Sequence, residues 1–252
     1  MPADAATVPG ISDVTIAPNV IDTLVISNIG DDFDFGVTNS GSGVVTSNVT
    51  SPATGEIEDI NIATGTAPAS GYVDATASNA GEVSVSAIAT ATGAGPQTAN
   101  AYVATGLYQL GIGDADVEID IVNTGTFTAQ AFAFASATVG AANANATLDA
   151  AVGQQAFAGS AASAGITNSG EINGFAIAIA NGTTFASADA RIQSGIYQTA
   201  TGTAAGATID NDGTIDIAAI AVANATTVTP AANRVTFIAH LPATQSPPTS
   251  VV

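Results

Sequence analysis

The tripeptide Asn-x-Gly recurs at Asn79-Ala80-Gly81, Asn123-Thr124-Gly125, Asn168-Ser169-Gly170 and Asn211-Asp212-Gly213, with the asparagines 44, 45 and 43 residues apart. The positions that follow each glycine repeat in kind. The second is Val83, Phe127, Ile172 or Ile215. The seventh is Ile88, Phe132, Ile177 or Ile220. The sixth, eighth and tenth are alanine in every copy: Ala87, Ala89, Ala91 in the first and Ala219, Ala221, Ala223 in the last. A chain built this way folds by stacking. Equivalent side chains fall into columns, and each unit covers the apolar face of its neighbour.

A second signature marks the half-period. Gly106-Leu107-Tyr108-Gln109 returns as Gly195-Ile196-Tyr197-Gln198, with Gly153-Gln154-Gln155 between them as a degenerate copy. The two arginines, Arg191 and Arg234, are 43 residues apart, the same step as Asn168 to Asn211. Upstream, Gly55-Glu56-Ile57 with Ile62-Ala63 fits the same columns only 26 residues before Gly81, and reads as a shorter repeat; Gly30 or Gly41 heads another.

Within a unit the pattern has period two. Thr214-Ile215-Asp216-Ile217 alternates polar and apolar, as a half-buried strand does. Then Ile220 and Val222 fall on the opposite side from Ile215 and Ile217, while Ala219, Ala221 and Ala223 keep the first side. Either a bulge re-aims the strand there, or both faces are covered and the alanine face packs flat. Alanine favours helix, but the alternation and the frequent Asn-Gly-type turns oppose one. The asparagine and glycine suit the left-handed backbone of a tight turn.

These patterns predict an all-β chain, a β-solenoid (β-helix) with a repeat of about 44 residues, each half-repeat making one rung of about 20. A β-sandwich is the alternative; a propeller would carry aromatic signatures that the repeats lack. The expected division is residues 1–18 as a lead-in, 19–240 as the repeat solenoid and 241–252 as a Pro-rich tail that cannot continue a ladder. Val20–Ile26 reads as an early strand and Arg234–Ile238 as the last.

Composition excludes several functions. Two arginines, no lysine and 21 acidic residues give a net charge of -19. Nucleic-acid binding needs cations to neutralise phosphate, and anionic lipid needs them too. With no cysteine there is no thiolate zinc site, disulfide or cysteine nucleophile. His240 is the only histidine. Paired carboxylates could serve a glycosidase, but such sites enlist basic residues, so no enzyme is expected. Neither a signal peptide nor a membrane-spanning run is visible.

The carboxylates form runs: Asp31-Asp32-Phe33-Asp34, Glu56-Ile57-Glu58-Asp59, Asp114 to Asp120 and Asp210 to Asp216. In a strand, Asp114, Asp116, Glu118 and Asp120 would share one face. With no lysine to pair them, calcium is the natural partner there and at Asp210, Asp212 and Asp216. The EF-hand pattern fails, however: aligned on Gly213, its first ligand would be Thr208 and its last Ala219. No other cofactor is indicated. Tyr108 and Tyr197 read as stacked core or corner residues, and the Asn-x-Thr matches at Asn48, Asn145, Asn181 and Asn224 as chance in an Asn- and Thr-rich chain.

At Asn168-Ser169-Gly170-Glu171-Ile172, Asn211-Asp212-Gly213-Thr214-Ile215 and Gly195-Ile196-Tyr197-Gln198 the chain resembles the Ala/Asn/Thr-rich β-strand-repeat proteins of bacterial cell surfaces: autotransporter-like passengers, adhesins and subunits of extracellular fibres. The resemblance covers roughly residues 55–240. It implies a secreted or surface-bound structural protein with copies of itself as partners, or an adhesin segment contacting a host or neighbouring cell. It supplies no catalytic residue. Assembly is expected through strand pairing and apolar packing, aided by salt or calcium. Phe132/Phe134, Ile177/Ile179 and Ile220/Val222 are the columns to pack, if they face outward.

Overall fold

The computed structural model describes residues 14–16, 27–29, 33–39, 42–50, 53–66, 73–80, 82–227 and 232–237, with side chains almost entirely within 84–227. The described chain is strand and turn, with no helix. Its first strands are β1 (Val14–Ile16), β2 (Ser27–Ile29), β3 (Phe33–Asn39), β4 (Ser42–Thr50), β5 (Ala53–Thr66) and β6 (Val73–Asn79). The middle comprises β7 (Glu82–Gly93), β8 (Gln97–Gly113), β9 (Val117–Asn123), β10 (Thr126–Ala137), β11 (Ala141–Ala158) and β12 (Ala161–Asn168). The last are β13 (Glu171–Gly182), β14 (Phe185–Ile192), β15 (Ile196–Thr201), β16 (Ala204–Asn211), β17 (Thr214–Ala225) and β18 (Ala232–Phe237).

All pairing among these strands is parallel, in three sheets. Sheet A runs β1-β4-β7-β10-β13-β17, sheet B β18-β14-β11-β8-β5-β2 with β15 also on β11, and sheet C β16-β12-β9-β6-β3. From β3 onward the chain visits C, A and B in rotation. The antiparallel pairing of a sandwich or of a propeller blade is found nowhere among the described strands.

One circuit is one whole repeat. Phe127 pairs with Ile172, which pairs with Ile215, and Asn79, Asn123, Asn168 and Asn211 follow one another in sheet C. The expected rung of half a repeat is therefore wrong. Three strands, not one or two, complete a layer, and the strands of sheet C are short beside the longer alanine-rich ones. The upstream copy is also re-placed. Asn39 pairs with Asn79 and Ser42 with Glu82, so Asn39-Ser40-Gly41 is the preceding Asn-x-Gly. Gly55 pairs with Ala101 in sheet B and heads nothing. Strand β1, within the expected lead-in, already pairs with β4. Val20–Ile26, His240 and the 241–252 tail lie outside the described residues.

The core is wedge-shaped because of its side-chain volumes. At the apex, where sheet A turns into sheet B, the inward residues are almost all alanine: Ala131, Ala133 and Ala135 on β10 face Ala142, Ala144 and Ala146 on β11, all fully buried. Only small side chains fit where two sheets converge on a three-residue turn. Toward sheet C the space widens and larger side chains fill it, among them Leu148, Ile166, Ile172, Ile119 and Val103. Strand parity does not change along the way. From Thr126 to Ala137 burial alternates without a break, and β10, β13 and β17 pair without a register shift. No bulge re-aims the strand: the alanines point in, and the larger Phe132, Phe134, Ile177, Ile179, Ile220 and Val222 point out.

The long strands of sheet B bend. In β11 the alternation lapses at Ala150–Gln154, where five consecutive residues are buried, and one circuit later the strand divides into β14 and β15. This explains the Gly-Leu/Ile-Tyr-Gln signature. Gly106 sits where the bend meets sheet A; a β-carbon there would lie 2.6 Å from that of Ala129. Register corrects the degenerate copy: Gly153 pairs with Tyr108 and Tyr197, and Gln154 with Gln109 and Gln198. The tyrosines lie outward at the corner, with Tyr108 donating to Gln155 Oε1 at 2.8 Å, and Tyr197 lies over the space that Gly153 leaves.

Candidate functional site: the open end and the outer faces

Two amide columns run through the interior. In sheet C, Asn79 Nδ2 donates to Asn123 Oδ1 at 2.7 Å, Asn123 to Asn168 at 2.7 Å, and Asn168 to Asn211 at 2.6 Å. Carbonyls fix the direction. Asn123 Nδ2 also meets Gly125 O at 3.2 Å and Glu171 O at 3.0 Å, and Asn168 Nδ2 meets Gly170 O and Thr214 O. Carbonyls only accept, so the NH2 group must face them and the side-chain oxygen must face the preceding asparagine. The glutamines run the other way: Gln198 donates to Gln154 Oε1 at 2.7 Å and Gln154 to Gln109 Oε1 at 2.8 Å. Asn168, Gln109 and Gln154 are fully buried, so each column satisfies amides that would otherwise cost heavily.

The glycine of Asn-x-Gly answers to stacking. A β-carbon on Gly170 would fall onto the carbonyl oxygen of Gly125, and one on Gly213 onto that of Gly170. The left-handed backbone expected there is absent; among the described glycines, positive φ occurs at Gly140, at 108°. Consecutive turns lie directly on one another, with Ser169 N and Gly170 N both donating to Asn123 O.

Among the described residues, no strand covers the last layer at the C-terminal side. In β12 the inward residues Ala162, Ala164, Ile166 and Asn168 are buried. Their partners in β16 are Ala205, Ala207, Ile209 and Asn211. Ile209 is 49% exposed where Ile166 is 1%. Asn211 donates to Gly213 O at 3.2 Å and, among the described residues, has no further asparagine to donate to. Among the described strands, β16 and β17 are the last in their sheets, with no further partner on that side. At the other end, sheet C begins with β3, whose Val37 and Asn39 pair with Ala77 and Asn79. The first and last members of these two columns are thus alike in kind.

The outer faces differ in charge. On sheet C, Glu118, Asp120 and Asp210 point outward, and on sheet B so do Asp189, Arg191 and Arg234. Arg234 pairs with Asp189 rather than stacking on Arg191; their 4.0 Å ion pair is largely exposed and worth little. Sheet A carries Glu82, Glu171 and Asp216 near the start of its strands and, from β7 to β17, no charge beyond them. From Phe175 and Ala218 onward its outer residues are Phe132 and Phe134, Ile177 and Ile179, and Ile220 and Val222, the last pair 46% and 39% exposed.

The acidic runs do not gather. Asp114 and Asp116 are exposed in the turn before β9, where Asp116 Oδ1 accepts from Ala161 N at 3.0 Å. Glu118 and Asp120 lie on the outer face of sheet C, and Gly165 leaves room for the Asp120 carboxylate. Asp210 is outside sheet C, Asp212 is in a turn and Asp216 is outside sheet A. Among the described residues no three carboxylates come together to hold a metal ion, so neither expected calcium cluster is assembled. The runs at 31–34 and 56–59 have no described side chains. No helix among the described residues is long and apolar enough to cross a membrane.

The chain matches no protein-family model, no curated protein and no solved structure.

Proposed function

We propose that the chain is a three-sided β-solenoid that stacks end to end with copies of itself, as the structural subunit of an extracellular filament or matrix. The observation that carries this reading is the last described layer, which no described strand covers. Inward-facing Ile209 and Asn211 lie exposed on open parallel edges, and the first layer of a second copy offers Val37 and Asn39 in the same columns. Seating β3 of one copy on β16 of another would extend the sheet C ladder and give Asn211 the next asparagine. Such a contact is heterologous and does not close on itself, so it makes a filament. It also removes two exposed edges that otherwise invite unspecific pairing. Main-chain bonds and an apolar contact carry it, which suits a chain whose charges repel its own copies. The secreted location rests on the resemblance of the repeats to bacterial surface proteins.

The test is light scattering and electron microscopy of the purified chain as concentration and sodium chloride rise. Filaments about one molecule wide are expected, favoured by salt. Ile209→Asp should prevent them while leaving the circular dichroism of the chain unchanged. A monomer at high concentration in salt would overturn the reading, and so would filaments that dissolve as salt is raised.

A further inference from the structure

Parallel sheets are ordinarily covered on both faces. The outer face of sheet A is covered by no described element, yet it holds large apolar side chains in register. Ile88 pairs with Phe132, Phe132 with Ile177 and Ile177 with Ile220; beside them run Thr90, Phe134, Ile179 and Val222. The stripe follows the stacking direction and reaches β17, the open edge. It bears no charge on a chain of net -19. At the opposite end it stops: the residues in register on β4 are Asn48 and Thr50.

We infer that this stripe is a lateral contact between stacks, with the same stripe of a second stack as its occupant. The inference rests on the end-to-end reading and adds the device that would turn single filaments into bundles. Charge suits the occupant: the stripe lets two copies approach without opposing carboxylates. Area sets the order of events. Four strands at about 4.8 Å spacing, one to two side chains wide, give a stripe on the order of 200–300 Å². A stable interface needs about 800 Å² from each partner, so one chain alone does not hold another. Stacking multiplies the stripe, and three or four copies in line reach that area, each contact raising the effective concentration of the next. Lateral association therefore follows end-to-end growth. It also carries the axial period of one chain, because Asn48 and Thr50 interrupt the stripe once per copy.

The experiment compares the full chain with Phe134→Asp/Ile177→Asp, and with Phe134→Gln/Ile177→Thr as a milder pair that keeps strand-compatible residues. Filament width is read by electron microscopy and small-angle X-ray scattering. The wild type should form bundles that widen with salt, after a lag in which only single filaments are seen. Both variants should form single filaments of unchanged length. Because the chain has no cysteine, Ile179→Cys labelled with pyrene adds a direct reading. Copies within one filament hold their labels several strands apart, so excimer emission reports facing stripes alone. Bundles that persist in the variants, or form without excimer emission, would overturn the inference and leave the end-to-end reading standing. Single filaments at every salt concentration in the wild type would do the same, and would point to residues of the chain itself covering the stripe. Absence of any filament would sink both.

Discussion

Replacing Asn168 by aspartate changes one NH2 group into an oxygen and leaves shape almost intact, which makes it a clean probe of the buried column. The new oxygen would face Gly170 O, Asn211 Oδ1 and Thr214 O, at 3.3, 2.6 and 3.2 Å in the present geometry. All three are acceptors, and the site is fully buried. The carboxyl must therefore stay protonated in the folded chain, donating its one hydrogen to Asn211. Burial of this kind raises a carboxyl pKa by about 3 units or more. The folded pKa is then raised above the unfolded value of about 4, so the pH-dependent part of the penalty is absent below pH 4 and grows by about 1.4 kcal/mol per pH unit above it. It reaches about 1.5 kcal/mol at pH 5 and about 4 kcal/mol at pH 7. Asn168→Ala loses the same donor bonds at about 1 kcal/mol each, with no dependence on pH. Asn224→Asp, at an exposed position whose amide donates to Asn181, should cost a few tenths of a kcal/mol. Urea unfolding at pH 5 and pH 7, followed by circular dichroism and referred to the wild type at each pH, separates these outcomes. If Asn168→Asp is as mild as Asn224→Asp at pH 7, or if its cost does not shrink in acid, the column does not hold its amides as described.

Strand parity has its own test: Ile217→Asp places a charge against the core and should cost several kcal/mol, whereas Thr214→Asp, exposed on the outer face, should cost little; equal effects in urea would refute the assignment. Ala178→Leu adds three carbons at the alanine apex, where the position is fully buried, and should destabilise by about 1–3 kcal/mol or more; a melting temperature equal to the wild type would mean that the two sheets are not in close contact. Gly170→Ala sets a methyl group against the stacked carbonyl of Gly125 and should lower the urea midpoint clearly, while Gly206→Ala, where a β-carbon meets nothing within 4 Å, should leave it unchanged.

Stacking was legible in the sequence because columns of like residues are its direct consequence. The Asn-x-Gly turns repeat at the spacing that the strands then adopt. The inside of sheet A was harder to read, because its outer residues are more apolar than its inner ones. Hydrophobicity alone places Phe132 and Ile177 in the core and makes Ala131 and Ala176 spacers; the converging sheets reverse this, since volume decides what fits. The glutamine column was half-seen. Gln109 and Gln198 stood out through their tyrosines, but Gly153 drew the alignment two residues astray because it replaces a tyrosine rather than the bend glycine. The carboxylate runs looked like ligand sets for want of lysine, but turns and sheet corners direct neighbouring residues to different faces. The open end had no local signature: Ile209 looks like Ile166 and differs in having no described layer above it.

The columns also bear on how long such a molecule can be. Each interior asparagine hands one hydrogen bond forward and takes one from behind, so the column offers every layer the same partners. The fold thus keeps no count of its own layers. A gene that gained or lost one unit of 43–45 residues in register would encode a chain whose asparagine column is already matched, so the number of layers can drift by duplication while the two ends stay fixed. Size in such a lineage would be an adjustable quantity, set by how far the ends must stand apart.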